Sequence, residues 1–242
     1  MLELAKTYDV CDSKTPEMTV VFLHGIAADS SDFKGLLGYL VGDESMKRVR
    51  LATFDLLGAG KSYTSDELEY TFDEQLEALK NSVDKLNVTG PLVIVAHSMG
   101  TMIATRFAEA HKRLVRGLVL ISAPVFKKED IENPMFEVAM NGFREVVGRK
   151  MSGLLTAKSF NNEIKNIVSN KHNYDFLVRV SKPTIIIYGE LDKIIAPFNI
   201  PGLLKGNPNI TAIKTAGSHG ITREKYHKVL VALQEFLSKE EG

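Results

Sequence analysis

The chain has 242 residues, of which 44% are hydrophobic and 25% charged, a composition typical of a globular domain with a sizeable core. Lysine and arginine number 30, as do aspartate and glutamate, so a net charge of zero favours neither nucleic acid nor an anionic membrane surface as a partner. The single cysteine, Cys11, excludes an internal disulfide and a cysteine metal cluster.

Residues 1–12 contain no basic stretch followed by an apolar run, so they do not predict a signal peptide. No uninterrupted apolar segment approaches the length of a membrane span. We therefore expect a cytoplasmic protein without a membrane span.

Short, β-branched apolar runs alternate with longer helix-like stretches along the chain. Runs that are apolar throughout are typical of strands covered on both faces. Their alternation with helices predicts an α/β fold with a doubly wound, mostly parallel sheet. The predicted strands cover residues 19–25, 49–55, 91–98, 115–124, 183–190 and 209–217.

Three of the intervening stretches predict helices that pack against this sheet. Apolar residues recur at helical spacing from Phe72 to Leu86 and again from Tyr226 to Leu237. A further amphipathic helix is predicted over residues 101–111, immediately after the strand that ends near Ser98.

About sixty residues separate the strand ending near Ala123 from the one starting near Thr184, too many for a structureless loop. We interpret residues 125–180 as a helical cap inserted into a core formed by residues 1–124 and 181–242. The alternative is two ordinary helices docked on the core. Methionine suits an adaptable apolar pocket, and the candidate lining residues are Met135, Met140 and Met151.

Residues 96–100 read Ala-His-Ser-Met-Gly, close to the G-x-S-x-G pattern that places a nucleophilic serine on a strand-to-helix elbow. The residues two before and two after the serine must be small, because strand and helix backbones approach closely there. Gly100 meets this condition and Ala96 adds one methyl group. The alternative, that Ser98 merely caps a helix, leaves the polar residues at other strand ends unexplained.

The carboxyl ends of parallel strands gather functional groups at one edge of a sheet. Here they bring Ser98, then Glu190 and Asp192, then His219, in the order serine, acid, histidine. A serine hydroxyl needs a base to take its proton, and imidazole has a suitable pKa near neutrality. His219, in a glycine-flanked loop after the last strand, is the predicted base.

Two other histidines lie near predicted strand ends. His97 adjoins the serine, and we expect its side chain to point away from Ser98. His24 is expected to brace the neighbouring loop. His111, His172 and His227 lie in helix-like or polar stretches and are expected to be solvated.

The elbow and the residue order resemble the α/β-hydrolase superfamily over essentially the whole chain. The resemblance implies a Ser98–Asp192–His219 triad without metal or organic cofactor, with Glu190 left as the alternative acid. It also implies an oxyanion hole formed by the backbone N–H groups of Met99 and of Ile26, which lies in HGIAADSSDF, a stretch similar to the family's H-G loop.

The stretch LLGAGKS, residues 56–62, resembles the end of a phosphate-binding loop, but Asp55 stands where that motif needs glycine. It is more similar to the superfamily's D-x-x-G-x-G-x-S turn. Asp55 is then expected to accept backbone hydrogen bonds within a tight loop.

The resemblance implies a hydrolase that cleaves a small-to-medium carboxylic ester or thioester through an acyl-enzyme on Ser98. Two alternatives remain. One is use of the triad for carbon–carbon cleavage, elimination or acyl transfer, as in the superfamily's menaquinone-pathway synthase. Its relatives carry an arginine soon after the serine, whereas Arg106 lies a full helical turn beyond Met102. The other is a non-catalytic ligand-binding protein. The physiological substrate and the oligomeric state stay open.

Overall fold

The computed structural model describes residues 1–148, 157–221 and 223–238, and these form a seven-stranded sheet in the order β1-β3-β2-β4-β5-β6-β7. The neighbouring strands run parallel except for β1, which pairs antiparallel with β3. The strands are β1 (Ala5–Val10), β2 (Met18–Leu23), β3 (Val49–Asp55), β4 (Leu92–His97), β5 (Val115–Ile121), β6 (Thr184–Gly189) and β7 (Ile210–Thr215).

Helices flank both faces of this sheet. The α-helices are α1 (Lys34–Val41), α2 (Phe72–Lys85), α3 (Met99–Ala110), α4 (Lys128–Glu132), α5 (Pro134–Gly148), α6 (Ala157–Glu163), α7 (Asn173–Arg179), α8 (Ile200–Gly206) and α9 (Arg223–Ser238). Short 3-10 turns cover Ser30–Phe33, Glu44–Met46 and Pro197–Asn199, and a π-helical turn covers Ile164–Val168. None of the described helices combines the length and apolar character needed to cross a bilayer.

The predicted mostly parallel sheet is confirmed, and each of the six predicted strands is present. β1 was not predicted. Its sequence, AKTYDV, mixes polar and apolar residues because it is an edge strand whose side chains are mostly half-buried. The apolar-run criterion therefore passes over this sequence.

The core lies on both faces of the sheet, as expected for strands buried throughout. On one face the apolar side chains of α2, α3, α7 and α8 pack against the strands, and on the other those of α1 and α9 do so. β2 and β4, at the centre, are buried along their whole length. Ser98 therefore follows a strand that is buried along its whole length.

The helix predicted to follow Ser98 is present as α3, but it does not expose one face to solvent as an amphipathic helix usually does. α3 is buried from Met99 to Ala108, because α2, α7 and the π-helical turn cover the side that faces away from the sheet. Arg106 is accommodated there by stacking between two aromatic rings, with its guanidinium carbon 3.6 Å from the Phe72 centroid and 4.0 Å from that of Phe176.

Between β5 and β6 the described chain is helical, as predicted, and comprises α4 to α7. Ile164 and Ile167 are fully buried, whereas Met135 and Val138 are 66% and 59% exposed. The side chains at 146 and 147, and residues 149–156 with Met151, Leu154 and Leu155, lie outside the described part of the chain. The division into a core and a cap domain stays a prediction.

Candidate active site

Ser98 stands at a sharp turn between the last residue of β4 and the first residue of α3. Its backbone angles, φ 50° and ψ −121°, are costly for a non-glycine residue, by roughly 1–3 kcal/mol. A Cβ at Gly100 would lie 2.5 Å from the carbonyl oxygen of His24, so only glycine fits there. Ala96 pairs with Leu23 of β2 and is fully buried, so the fold accommodates its extra methyl group.

The structure brings Ser98, His219 and Asp192 together from three separate loops. The Nε2 atom of His219 lies 2.9 Å from the Ser98 Oγ, and its Nδ1 lies 2.9 Å from the Asp192 Oδ2. The other carboxylate oxygen of Asp192 accepts from the Ile194 N–H at 2.9 Å. Burial alone would raise the pKa of Asp192, but the hydrogen bond and charge of His219 lower it overall.

The alternative acid, Glu190, occupies a different environment. Its side chain is 45% exposed and pairs with the Lys214 ammonium at 3.2 Å, whereas Asp192 is the residue that accepts the hydrogen bond from His219. The Asp192 turn adjoins the His219 loop directly, since a Cβ on Gly189 would collide with the Gly217 carbonyl. Close packing of these two loops sets the distance between acid and imidazole.

The two predicted oxyanion donors lie on either side of Ser98. Met99 is the first residue of α3, where a backbone N–H has no helical partner. Ile26 follows β2 in a loop that passes beside the serine, because a Cβ on Gly25 would be 3.0 Å from the Ser98 Cβ. Within the described chain neither N–H has a hydrogen-bond partner, and both residues line the cavity that contains Ser98.

His24 and Asp55 brace the surrounding loops, as predicted. The Nδ1 of His24 donates to the Gly25 carbonyl at 2.8 Å, and its Nε2 accepts from the Leu56 N–H at 2.9 Å. Asp55 accepts from the backbone N–H groups of Ser30 and Lys61, each at 2.8 Å. No α-helix begins at Ser62, and the next described one starts ten residues later at Phe72, unlike a phosphate-binding loop.

The expectation that His97 points away from the site is wrong. Its ring lines the same cavity as Ser98, and its centroid lies 5.0 Å from that of His219. In a strand, neighbouring side chains point to opposite faces of the sheet. Since β4 ends at His97 and the chain turns sharply at Ser98, this rule does not apply to the pair His97 and Ser98. Burial, with the charge of His219, lowers the pKa of His97 to about 3, so the ring is neutral and its Nε2–H donates to the His219 carbonyl at 3.1 Å.

A cavity of about 240 Å³ opens over Ser98. Its walls are largely apolar, and several of them belong to the segment between β5 and β6. Met140 is part of this wall, while the exposed Met135 lines a neighbouring cleft of about 320 Å³. The larger apolar side chains of the lining include those of Ile26, Pro124, Phe126, Met140, Phe143, Val168 and Ile194.

One carboxylate, Asp32, stands among the described residues that line this cavity, and that described lining contains no lysine or arginine. Burial raises the pKa of Asp32, and within the described chain its carboxylate has no hydrogen-bond or ion-pair partner. Sequence reasoning missed Asp32 because DSSDF reads as an ordinary polar turn. It also missed Ser122 and Lys225, which contact the main chain of His219.

The chain combines a mostly parallel sheet, a serine at a sharp strand-to-helix turn, and a histidine and an aspartate on later loops. This combination is typical of α/β hydrolases. A family model described as the alpha/beta hydrolase fold matches residues 19–163. The chain belongs to this family.

Several known proteins are similar to the chain. "Probable lysophospholipase BODYGUARD 2" of Arabidopsis thaliana is 32% identical over 116 residues, 48% of this chain but only 25% of that protein. The "Pimeloyl-[acyl-carrier protein] methyl ester esterase" of Wigglesworthia glossinidia brevipalpis is 25% identical over 229 residues, 81% of this chain and 83% of that one.

Among solved structures, an esterase of Exiguobacterium antarcticum superposes with a TM-score of 0.73. The match covers 96% of this chain and 94% of the esterase at 17% identity. At this identity the likeness establishes the fold alone.

Proposed function

We propose that the protein is a serine hydrolase that cleaves a small-to-medium carboxylic ester or thioester. The observation that carries the proposal is the continuous hydrogen-bonded chain from the Ser98 hydroxyl through His219 to Asp192, with both links 2.9 Å long. Such a chain activates a hydroxyl that is otherwise a weak nucleophile. Relatives named as a lysophospholipase and an esterase support the same reaction class.

In the proposed reaction, the Ser98 Oγ attacks the carbonyl carbon of the ester while the His219 Nε2 takes the hydroxyl proton. The carbonyl oxygen becomes an oxyanion and accepts hydrogen bonds from the Ile26 and Met99 N–H groups. One such donor contributes about 3 kcal/mol of transition-state stabilisation. The C–O or C–S bond then breaks, and His219 gives the proton to the departing alcohol or thiol.

The second half of the reaction repeats these roles with water. His219 removes a proton from water, and the hydroxide so formed attacks the acyl carbon. The bond to the Ser98 Oγ then breaks, and His219 returns the proton to that oxygen. Asp192 stays ionised throughout and accepts from the Nδ1–H, which keeps the Nε2 lone pair directed at the serine. These steps use only groups of the chain and require no cofactor.

The cavity indicates the kind of substrate. Its volume of about 240 Å³ and its apolar walls suit a small-to-medium acyl group, with residues 125–180 serving as the cap. The described lining has no cation to bind a substrate carboxylate, and Arg106 is buried between two rings rather than in the cavity. Both facts favour a neutral ester over the carboxylate substrates of the elimination alternative.

The first test is labelling with a fluorophosphonate, read by intact-protein and peptide mass, on the wild type and on Ser98→Ala. We expect a single adduct on Ser98 that is absent from the variant. A panel of esters and thioesters of graded chain length then ranks the substrates. If folded wild-type protein forms no adduct and turns over no ester, the ligand-binding alternative replaces this proposal.

A further inference from the structure

Lys225, near the start of α9, is fully buried, with 0% of its surface exposed. A lysine normally keeps its ammonium group in water, and burial without polar partners is costly. Within the described chain no carboxylate lies within ion-pair distance of its Nζ. Something other than a salt bridge must therefore satisfy this group.

The Nζ of Lys225 donates to three consecutive backbone carbonyls of the loop that carries His219. The distances are 2.7 Å to Ser218, 3.3 Å to His219 and 2.8 Å to Gly220. The Ser122 Oγ lies 3.0 Å from the same Nζ, so two of the four acceptors share one of the three ammonium hydrogens. Three consecutive peptide units are thus turned towards one cation.

The His219 carbonyl is held from two further directions. The Ser122 hydroxyl, at the end of β5, donates to it at 2.8 Å, and the His97 Nε2–H, at the end of β4, donates at 3.1 Å. The backbone of His219 is therefore tied to β4, β5 and α9, while its ring is tied to Asp192. Together these contacts determine where the Nε2 lies relative to Ser98.

We propose that Lys225 is a positioning residue for the reaction. It holds the main chain of the His219 loop in place, so that the imidazole lies within hydrogen-bonding distance of the Ser98 hydroxyl. This role rests on the proposed Ser98–His219 chemistry. Lys225 is not among the residues that line the cavity, so it acts on the rate of the chemical step and not on substrate binding. A displacement of about 1 Å in a reacting group can reduce a rate by about 10²-fold.

The test compares Lys225→Met, which keeps the unbranched stem and removes the donors, with Lys228→Met on the same helix. Lys228 is only half-buried and makes none of these contacts. The rates of hydrolysis of 4-nitrophenyl butyrate are divided by the concentration of active sites, which is determined by titration with fluorophosphonate. Unfolded protein does not react with this probe and is therefore excluded from the rate. We expect kcat to fall about 10²-fold in Lys225→Met with KM within twofold, and both constants to stay unchanged in Lys228→Met.

Two more variants separate positioning from general stability. Lys225→Gln keeps two N–H donors on a shorter stem, and we expect its kcat to lie between those of the wild type and Lys225→Met. Ser122→Ala removes the hydroxyl that bridges Lys225 and the His219 carbonyl, and we expect a fall in kcat of about fivefold. If Lys225→Met does not fold, Lys225→Gln and Ser122→Ala decide the question. Wild-type kcat per titrated site in the folded variants overturns the proposal.

A readout that needs no turnover keeps this inference distinct from the proposed function. In histidine-labelled protein, we expect the ¹H–¹⁵N ring signals of His219 to be sharp in the wild type and Lys228→Met, and broadened or doubled in Lys225→Met. His219 signals that are the same in all three proteins refute the positioning role, even if the wild type proves inactive on esters. Inactivity together with altered signals refutes only the proposed function.

Discussion

Replacing Asp192 with asparagine tests the choice of acid most directly. The Asp192 Oδ2 accepts the Nδ1–H of His219 at 2.9 Å and leaves the Nε2 lone pair facing Ser98. An amide NH₂ in the same place donates to Nδ1 instead, which moves the ring proton to Nε2 and removes the base. We expect kcat to fall about 10⁴-fold, as for the corresponding change in serine proteases. This corresponds to about 5 kcal/mol of activation free energy.

Glu190→Gln is the matched control, because it makes the same carboxylate-to-amide change two residues earlier. The Glu190 carboxylate is 45% exposed and pairs with Lys214, so we expect kcat within twofold of the wild type. Both variants are assayed on 4-nitrophenyl butyrate, with circular dichroism to establish folding. A large loss in Glu190→Gln with little in Asp192→Asn means that the assignment of the acid is wrong. Equal losses mean that the hydrogen-bonded chain does not govern the rate.

Three further predictions concern packing, pH and substrate charge. Gly100→Ala brings a Cβ within 2.5 Å of the His24 carbonyl oxygen, so we expect the free energy of unfolding in urea to fall by about 1–3 kcal/mol, whereas Gly142→Ala, in open space on α5, should raise it slightly. Burial raises the pKa of Glu163 well above its usual range. Between the ordinary glutamate pKa and this raised pKa, the carboxyl group ionises only in the unfolded chain, so the folded protein loses stability as pH rises. Glu163→Gln should therefore match the wild type near pH 4 and exceed it in unfolding free energy at neutral pH, by about 1.4 kcal/mol for each pH unit over which only the unfolded chain is ionised. Asp32→Asn removes the carboxylate of the cavity lining, which would attract a cationic leaving group. The ratio of kcat/KM for butyrylthiocholine to that for its uncharged 3,3-dimethylbutyl analogue should fall about fivefold, because two opposite charges 4 Å apart in water attract by about 1 kcal/mol.

Each of these predictions has a definite contrary result. If both glycine variants lose the same stability, the close approach at the elbow does not limit residue size. If wild type and Glu163→Gln show parallel stability curves from pH 4 to pH 8, the carboxyl group is not held neutral by burial. An unchanged ratio for the two thioesters would show that the Asp32 charge is not felt by the bound leaving group.

The sequence allowed prediction of those parts of the fold that local pattern determines. Continuous apolar runs identified six strands, and the small residue at Gly100 marked the elbow. β1 escaped because an edge strand needs no such run, and the orientation of His97 was wrong because a strained turn interrupts strand alternation. These errors arise where tertiary contacts override local pattern.

Contacts between distant segments were beyond the reach of sequence patterns. Lys225 reads as one more polar residue of an amphipathic helix, yet it is fully buried against a loop that begins seven residues earlier. The choice between Glu190 and Asp192 rested on a family resemblance rather than on local chemistry. The contacts of Lys225 and the assignment of the acid both depend on how distant loops lie relative to one another, which local sequence patterns do not show.

The stacking of Arg106 between Phe72 and Phe176 has a consequence for how this fold can change its substrate range. Phe176 belongs to α7, so the last helix before β6 is anchored to α3 and α2. The adjustable wall is then α5, whose outer residues Met135 and Val138 are exposed and whose inner residues face the cavity. For the proposed hydrolase, we expect substitutions confined to α5 to change the acyl-chain preference while the contacts among Ser98, His219 and Asp192 stay in place.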